Sequence, residues 1–177
     1  MRMALLAVGL LFALPAQAWA QATGAQGTPA GTLSDEATPA DREAVLAAVE
    51  TFFRTMTARD PAGARAVLEP EGRFFSIRPG PNGEKVIRSF TNQSYLDGLV
   101  GEGPGQVERI WSPRVLVHGD LANVWAPYDF HIDGAFSHCG VDSFDLIRSP
   151  NGWKITGGAY TVEREGCAPS PLGPPGV

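Results

Sequence analysis

Residues 124–167, which read VWAPYDFHIDGAFSHCGVDSFDLIRSPNGWKITGGAYTVEREGC, decide the fold of this chain. Two short turn sequences, Asp133-Gly134 and Pro150-Asn151-Gly152, interrupt a pattern in which apolar and polar residues alternate. A period of two is typical of β-strands, and turns this short make neighbouring strands pair antiparallel. The stretch therefore predicts a meander of long strands over residues 121–132, 135–148 and 153–163.

Helix signals lie upstream of this meander. Thr38, Pro39 and Asp41 together mark a helix start. A threonine cap accepts a hydrogen bond from a free amide, an early proline has no amide that needs a partner, and an early acid complements the positive end of the helix. Asp60 with Pro61 repeats the signal for a second, shorter helix that ends before residue 70. The first helix is strongly amphipathic, with apolar residues at helical spacing: Val45, Val49, Phe52, Phe53 and Met56.

Between the helices and the meander, the sequence predicts a small hairpin over residues 73–77 and 85–90, a third short helix over 91–100 and a further strand over 107–118. Helices followed by a run of antiparallel strands are typical of an α+β domain with its helices on one face of a curved sheet.

The first 20 residues have the form of a secretory signal, with Arg2, an apolar run over 4–14 and small residues at Ala18 and Ala20. The run is too short to span a bilayer. We expect cleavage after Ala20 or Ala18, export to the periplasm or the medium, and no membrane span. The remainder is predicted to be a flexible leader (21–38), one domain (39–167) and a disordered proline-rich tail (168–177).

The charge balance argues against a nucleic-acid partner. Without Arg2, 13 of the 14 basic residues remain against 19 acidic ones, and the basic residues form no cluster along the chain. A protein that binds nucleic acid needs a basic surface to neutralise phosphates.

A two-residue turn at Asp133-Gly134 sets the register of the first hairpin. The predicted pairs are Ile132 with Ala135, His131 with Phe136, Asp129 with His138, and Trp125 with Asp142. The last three pairs then share one face, which Phe144, Leu146, Trp153 and Ile155 continue. An apolar end beside a polar end made of Asp129, His131, His138 and Asp142 has the general form of a ligand pocket.

The opposite face of the predicted sheet is also apolar. It carries Val124, Ala126, Tyr128, Phe130 and Val141. A face of this kind is not stable in water, so we expect it to be buried in a homodimer or under the proline-rich tail.

These residues resemble the nuclear transport factor 2-like superfamily, and within it the exported bacterial SnoaL-like or lumazine-binding-like proteins. The resemblance covers residues 40–167. It rests on Phe52-Phe53 in the helix, Asp60, HGDLANVWAPY at 118–128, His138-Cys139-Gly140, Phe144 with Leu146, and Gly152-Trp153-Lys154-Ile155.

The resemblance implies a cone-shaped, cystatin-like α+β fold, in which a strongly curved antiparallel sheet packs on the N-terminal helices around a cavity, often in dimers. Enzymes of the superfamily, such as ketosteroid isomerases, polyketide cyclases and scytalone dehydratases, use pocket Asp, His and Tyr side chains for proton transfer. Other members only bind ligands or partners, so the fold does not decide the function. No catalytic residue of those enzymes is carried over to this chain.

The candidate catalytic residues are Asp129 and His138. A carboxylate opposite an imidazole can orient it and raise its pKa, which gives an acid or base near neutral pH. The alternative interpretation is a cross-strand polar pair that stabilises the sheet. The candidate ligand pocket, whose aromatic members could equally be core, comprises Phe53, Tyr95, Trp125, His131, Asp142 and Phe144.

Cys139 and Cys167 are the only cysteines, and in an exported protein such a pair predicts a disulfide. A metal site that includes His131 and His138 is disfavoured, because strand alternation points Cys139 away from both histidines and the spacing matches no zinc template. A nucleophilic Cys139 paired with His138 is disfavoured for the same reason of alternation. We predict no metal and no cofactor.

Two hypotheses of function follow. The first is an exported, non-catalytic domain that binds a small apolar or aromatic organic molecule. It would form a homodimer through the convex face of the sheet, which is the face opposite the predicted pocket. The second is an isomerase, dehydratase or cyclase in which Asp129 and His138 move a proton on an apolar carbonyl substrate. A module that binds a protein partner through the convex face is a third alternative.

Overall fold

A computed structural model describes residues 37–175 of the 177-residue chain. The predicted signal peptide and nearly all of the predicted leader lie outside the described residues. Within the described part, no helix is long and apolar enough to cross a membrane. The elements are α1 (Pro39–Ala58), α2 (Pro61–Val67), β1 (Leu68–Pro79), β2 (Lys85–Thr91), α3 (Asn92–Gly98), β3 (Gln106–Ile110), β4 (Arg114–His118), β5 (Leu121–Ile132), β6 (Ala135–Ser149) and β7 (Gly152–Thr161).

Side-chain caps begin the helices where the sequence predicts. Thr38 Oγ1 accepts from the Asp41 amide at 3.1 Å, and Asp60 Oδ1 accepts from the amides of Ala62 and Gly63 at 3.1 and 2.9 Å. Each cap satisfies amides that have no partner inside the first turn of the helix. The two predicted helix starts are confirmed.

The strands form one curved sheet in the order β2-β1-β7-β6-β5-β3, with β4 also paired to β5. All pairs are antiparallel except β1 with β7. The single strand predicted over residues 107–118 is wrong. Trp111, Ser112 and Pro113 divide it, because Ser112 has a φ of 46° and proline has no amide to donate.

The core lies between α1 and the sheet face that packs against it, which we call the inner face. Phe52 of α1 contacts Phe74 of β1 and Phe144 of β6, and Phe53 contacts Phe52 and Phe144, at ring-centroid distances of 5.7 to 6.0 Å. Clustered rings of this kind bury a large apolar area. Phe53, a predicted pocket residue, is therefore a core residue, 8% exposed.

A β-bulge at Ser137 changes the predicted register between β5 and β6. Ile132 pairs with Ala135 and His131 with Phe136, as predicted, but the next pair is Phe130 with His138. Ser137 is the extra residue, so every later pair is shifted by one. The predicted pairs of Asp129 with His138 and of Trp125 with Asp142 are wrong. Their partners are instead Cys139 for Asp129, Ser143 for Trp125 and Ala126 for Asp142.

The shift reverses the predicted faces of β5, since a slip of one residue turns each side chain to the other side. The inner face carries Val124, Ala126, Tyr128 and Phe130, which were predicted to lie on the opposite face, together with Ala122. Trp125, Asp129 and His131 point to the other side of the sheet, which we call the outer face. The predicted inward positions on β6 and β7 are confirmed: Asp142, Phe144, Leu146, Trp153 and Ile155 are buried.

Cys139 and Cys167 form the predicted disulfide, with their Cα atoms 6.1 Å apart. The bond joins β6 to the segment after β7. In the same place Cys139 exchanges two backbone hydrogen bonds with Glu163, at 2.9 and 2.8 Å. The disulfide therefore fixes the chain just beyond the last strand.

The segment after Cys167 runs over one end of the outer face. Arg109 Nη2 donates to the Gly173 carbonyl at 2.8 Å, and Ser170 lies beside Asp129. These contacts cover Asp129 and His131, which are 3% and 6% exposed.

Candidate functional site

A cavity of about 360 Å³ lies between α1, α3 and the inner face. Four phenylalanine rings, Phe52, Phe74, Phe90 and Phe144, form much of its wall. Polar side chains from β1, β3, β6 and β7 complete it. Three of the predicted pocket residues, Tyr95, Asp142 and Phe144, line this cavity, and so does His138, whereas Phe53, Trp125, His131 and Asp129 do not.

The sheet register sets the order of the polar groups along the cavity. Glu108 pairs with Phe130, which pairs with His138, so these three form one row across the inner face. Asp142 pairs with Ala126 and Tyr160 two rows further along the same face, and the row between them contains Tyr128 and Gly140.

Glu108 and Asp142 are both carboxyl residues of this cavity, and each perturbs the pKa of the other. Burial raises the pKa of Glu108 to about 7, and it raises the pKa of Asp142 well above its usual range. The second cause in Asp142 is the charge of Glu108. Two buried carboxylates cannot both ionise at low cost, so the pair holds a shared proton near neutral pH.

Glu108 is not among the site residues predicted from the sequence. Its strand was predicted as one continuous run over 107–118, and that run contains the break at Trp111 to Pro113. A break moves side chains to the other face, so alternation could not place Glu108. The sequence feature that could have identified it is a glutamate between the apolar residues Val107 and Ile110, in a strand that pairs with β5.

Three tyrosines surround the carboxyl pair or face it across the cavity. Burial is the main cause that raises the pKa of Tyr95, Tyr128 and Tyr160, so all three remain neutral phenols. Tyr128 donates to the Thr161 carbonyl at 2.6 Å. Tyr95 Oη, in contrast, is buried with no hydrogen-bond partner among residues 37–175.

His138 is held as a neutral imidazole. Burial, then the positive charges of Arg78 and Arg164, lower its pKa to about 4. The ring stacks on Phe130 at a centroid distance of 4.8 Å, and Nδ1 is 3.0 Å from Ser137 Oγ. The expectation that a carboxylate raises this pKa is wrong, because Asp129 lies on the other face.

Asp129 belongs instead to an ion pair on the outer face. Arg109 Nε and Nη2 donate to its two oxygens at 2.9 and 2.6 Å. Burial raises the pKa of Asp129, but the hydrogen bonds and the charge of Arg109, together with the nearby Ser170 hydroxyl, outweigh it and hold the pKa below the usual value. His131 Nδ1 is 3.7 Å from Asp129 Oδ1, too far for a hydrogen bond. The contacts of Asp129 are those of a structural pair.

Metal ligands do not come together in the described part of the chain, where no three His, Cys, Asp or Glu side chains form a cluster. Cys139 and Cys167 are joined to each other, so neither offers a thiolate.

Solved structures with the same fold come from several bacteria. A nuclear transport factor 2-like superfamily protein from Salmonella enterica superposes with a TM-score of 0.57 at 16% identity, over 75% of this chain and 97% of that one. A protein of unknown function with a cystatin-like fold from Nostoc punctiforme gives 0.58 at 12% identity, over 77% and 98%. A candidate dehydratase of the same family from Streptomyces avermitilis gives 0.55 at 20% identity, over 71% and 98%.

By sequence, no protein-family model matches the chain, and no curated protein matches it. The structural likeness shows the fold. The protein has the nuclear transport factor 2-like, cystatin-like fold, which confirms the fold class predicted from the sequence. The narrower resemblance to SnoaL-like or lumazine-binding-like proteins stays a prediction.

Proposed function

We propose that this protein is exported and binds a small, largely apolar organic molecule in the inner-face cavity. One observation carries the proposal: an aromatic cavity of about 360 Å³ contains buried polar atoms without protein partners. Ligand pockets commonly have volumes of 300 to 1,000 Å³, apolar walls and few directed polar groups. The phenylalanine rings would pack on the body of the ligand, and Tyr95 would donate a hydrogen bond to it.

Export is supported by the signal-like residues 1–20 and by the disulfide between Cys139 and Cys167. Disulfides persist in oxidising compartments, which include the periplasm and the medium.

The test of ligand binding is Tyr95→Phe, with prodan, a fluorescent naphthyl ketone, as the probe. An unpartnered buried hydroxyl destabilises a protein by about 1–3 kcal/mol, whereas a hydroxyl bound to a ligand contributes affinity. We expect Tyr95→Phe to weaken prodan binding about tenfold and to leave the free energy of unfolding unchanged or higher.

Tyr128→Phe is the matched control. Tyr128 already donates to Thr161, so its loss should lower the free energy of unfolding by about 1 kcal/mol and change prodan binding little. The binding proposal fails if properly folded wild-type protein does not bind prodan. It also fails if Tyr95→Phe loses stability and keeps full affinity.

Proton transfer is the second candidate function, and the Glu108–Asp142 pair is the observation that favours it. With a pKa near 7, ionised Glu108 could take a proton from the carbon beside a ligand carbonyl, while a phenol or protonated Asp142 donates to the carbonyl oxygen. Return of the proton to a different carbon would complete an isomerisation. In this mechanism Glu108 and Asp142, instead of Asp129, transfer the proton, and His138 is a neutral residue that lines the same cavity.

Deuterium exchange tests this second candidate. Prodan carries exchangeable hydrogens beside its carbonyl, so the wild-type protein in heavy water should speed their exchange, as measured by mass spectrometry. Glu108→Gln should abolish the acceleration and retain prodan binding. Exchange at the rate of free prodan with wild-type protein would leave binding as the function and exclude proton transfer on this ketone.

A further inference from the structure

Two arginines from neighbouring parts of the sheet line the same cavity. Arg78 is next to the end of β1 and Arg164 follows β7, and these strands pair in parallel. The Val162 amide donates to the Ile77 carbonyl at 2.8 Å, which extends the pairing beyond β7. Ser76 pairs with Tyr160, so the next inward positions are Arg78 and Val162, followed by Arg164. Both arginines line the cavity.

Neither arginine has a carboxylate partner within residues 37–175. The chain is acidic, with 19 Asp and Glu against 14 Lys and Arg, so acceptors are plentiful elsewhere. Arg78 Nη2 donates to Ser76 Oγ at 3.0 Å, but its Nε is buried and donates to no protein atom. A buried donor on a charged group is costly unless something accepts its proton.

The charge of these arginines reaches into the cavity. His138, which lines the same space, has its pKa lowered by both of them, after the larger effect of burial. Glu108 and Asp142 line the cavity as well, but their raised pKa values leave the pair with less than its full negative charge near neutral pH. The cavity therefore combines two cationic side chains with an aromatic wall.

We infer that the ligand is an organic anion with a flat, apolar body and a carboxylate or similar acidic group, which Arg78 and Arg164 bind in the cavity. Two guanidinium groups bind a carboxylate through short, charge-assisted hydrogen bonds. The inference rests on the proposed ligand-binding function and narrows it to a class of ligand.

Two dyes that share one scaffold test the inference: anilinonaphthalene sulfonate, which is an anion, and phenylnaphthylamine, which is the same ring system without the sulfonate. Fluorescence titration of the mature wild-type protein should give a Kd about tenfold or more lower for the anion. The preference should shrink as salt is added, because salt screens the arginines where they face solvent.

Arg78→Gln and Arg164→Gln should each remove most of this preference and leave the Kd of the neutral dye unchanged. Arg164 is exposed, so its replacement does not threaten the fold if the partly buried Arg78 proves sensitive. Arg88→Gln, an exposed arginine on β2 outside the cavity, is the matched control and should change neither Kd.

The outcomes separate this inference from the proposed function. If both dyes bind equally well and the arginine variants leave their ratio unchanged, the inference is wrong and the ligand-binding function stands. An anion preference that Arg88→Gln reduces as much as Arg164→Gln also overturns it, because the preference would then come from general surface charge. If neither dye binds to folded protein, the inference and the ligand-binding proposal are both wrong.

Discussion

Three consecutive residues, His138, Cys139 and Gly140, have three different structural roles. His138 points into the cavity, and Cys139 points to the outer face, where it bonds to Cys167. Gly140 lies under the Tyr128 ring, and a Cβ there would be 2.8 Å from that ring and 2.1 Å from the Thr161 carbonyl. The absence of a side chain at Gly140 thus lets Tyr128 reach Thr161. Sequence motifs of this kind are interpretable only once the face of each residue is known.

At the carboxyl pair, replacement of Glu108 by glutamine should reduce the dependence of stability on pH. Burial raises the Glu108 pKa from 4.5 to about 7, so the folded protein holds this proton more tightly than the unfolded chain. The resulting stabilisation is complete below about pH 4.5 and is lost as the pH rises through about 7. At about 1.4 kcal/mol per pKa unit, the loss is on the order of 3 kcal/mol.

The measurement is urea denaturation at a series of pH values, with the wild type compared with Glu108→Gln. His138 has the opposite effect, because its lowered pKa makes stability fall as the pH drops from about 6.5 to about 4. Both proteins contain His138, so the difference between their curves isolates the carboxyl pair. Glu71→Gln, at an exposed site on β1, controls for the loss of one carboxyl group. Parallel curves for the wild type and Glu108→Gln would contradict a shared proton.

The elements differ in how far the sequence predicts them. Thr38 and Asp60 cap their helices with their own side chains, so local chemistry alone predicts both starts. The turn at Asp133-Gly134 is likewise predicted from a few consecutive residues. The bulge at Ser137 has no local sequence pattern that predicts it. It brings Tyr128 and Phe130 to the same inner face as Phe144, which is a requirement of packing against α1 rather than of the strand itself.

The candidate site was predictable to the same extent. His138, Asp142 and Phe144 line the cavity as predicted, because β6 keeps the predicted alternation from His138 onward. Tyr95, on α3, is predicted only as an aromatic residue that could stack on a ligand. Asp129 and Trp125 were misplaced because the prediction carried one register through the bulge. The strand predicted over 107–118 is in fact two strands, so its side chains could not be assigned to a face, which is why Glu108 was missed.

The disulfide links two elements, and its removal should destabilise the protein. Cys139 and Cys167 are 28 residues apart, and closing a loop of this length contributes about 3–4 kcal/mol in the chain-entropy view. The double variant Cys139→Ser/Cys167→Ser should therefore lose about that much free energy of unfolding, measured by urea denaturation.

Reduction of the wild type provides the control, since reduced wild-type protein should unfold at nearly the same urea concentration as the double variant. Two free thiols in the oxidised wild-type protein would show that the bond does not form. An oxidised wild type no more stable than the reduced one would show that the bond forms without constraining the fold.

At the scale of the whole molecule, the outer face has two unlike ends. At one end, Ser170 and Gly173 contact Asp129 and Arg109 and cover them. At the other end, four large apolar side chains from β4, β5 and β6 are exposed: Leu116 (39%), Leu121 (58%), Trp125 (53%) and Ile147 (39%). Leu121 pairs directly with Ile147, and Leu116 and Trp125 belong to the same face. Clustered exposed apolar side chains are common in protein–protein interfaces.

The homodimer predicted from the sequence would use this end of the outer face. Tyr128 and Phe130, the residues first expected there, lie on the inner face, so charging them should damage the core instead of an interface. We expect the wild type to sediment as a dimer and Leu121→Glu/Trp125→Glu to sediment as a monomer with an unchanged circular dichroism spectrum, because charges on both copies would be buried against each other. Ile87→Glu, which places a charge on an equally exposed apolar residue of β2, is the matched control and should remain dimeric. A monomeric wild type would contradict the predicted homodimer. A dimer that survives in Leu121→Glu/Trp125→Glu would show that the interface lies elsewhere.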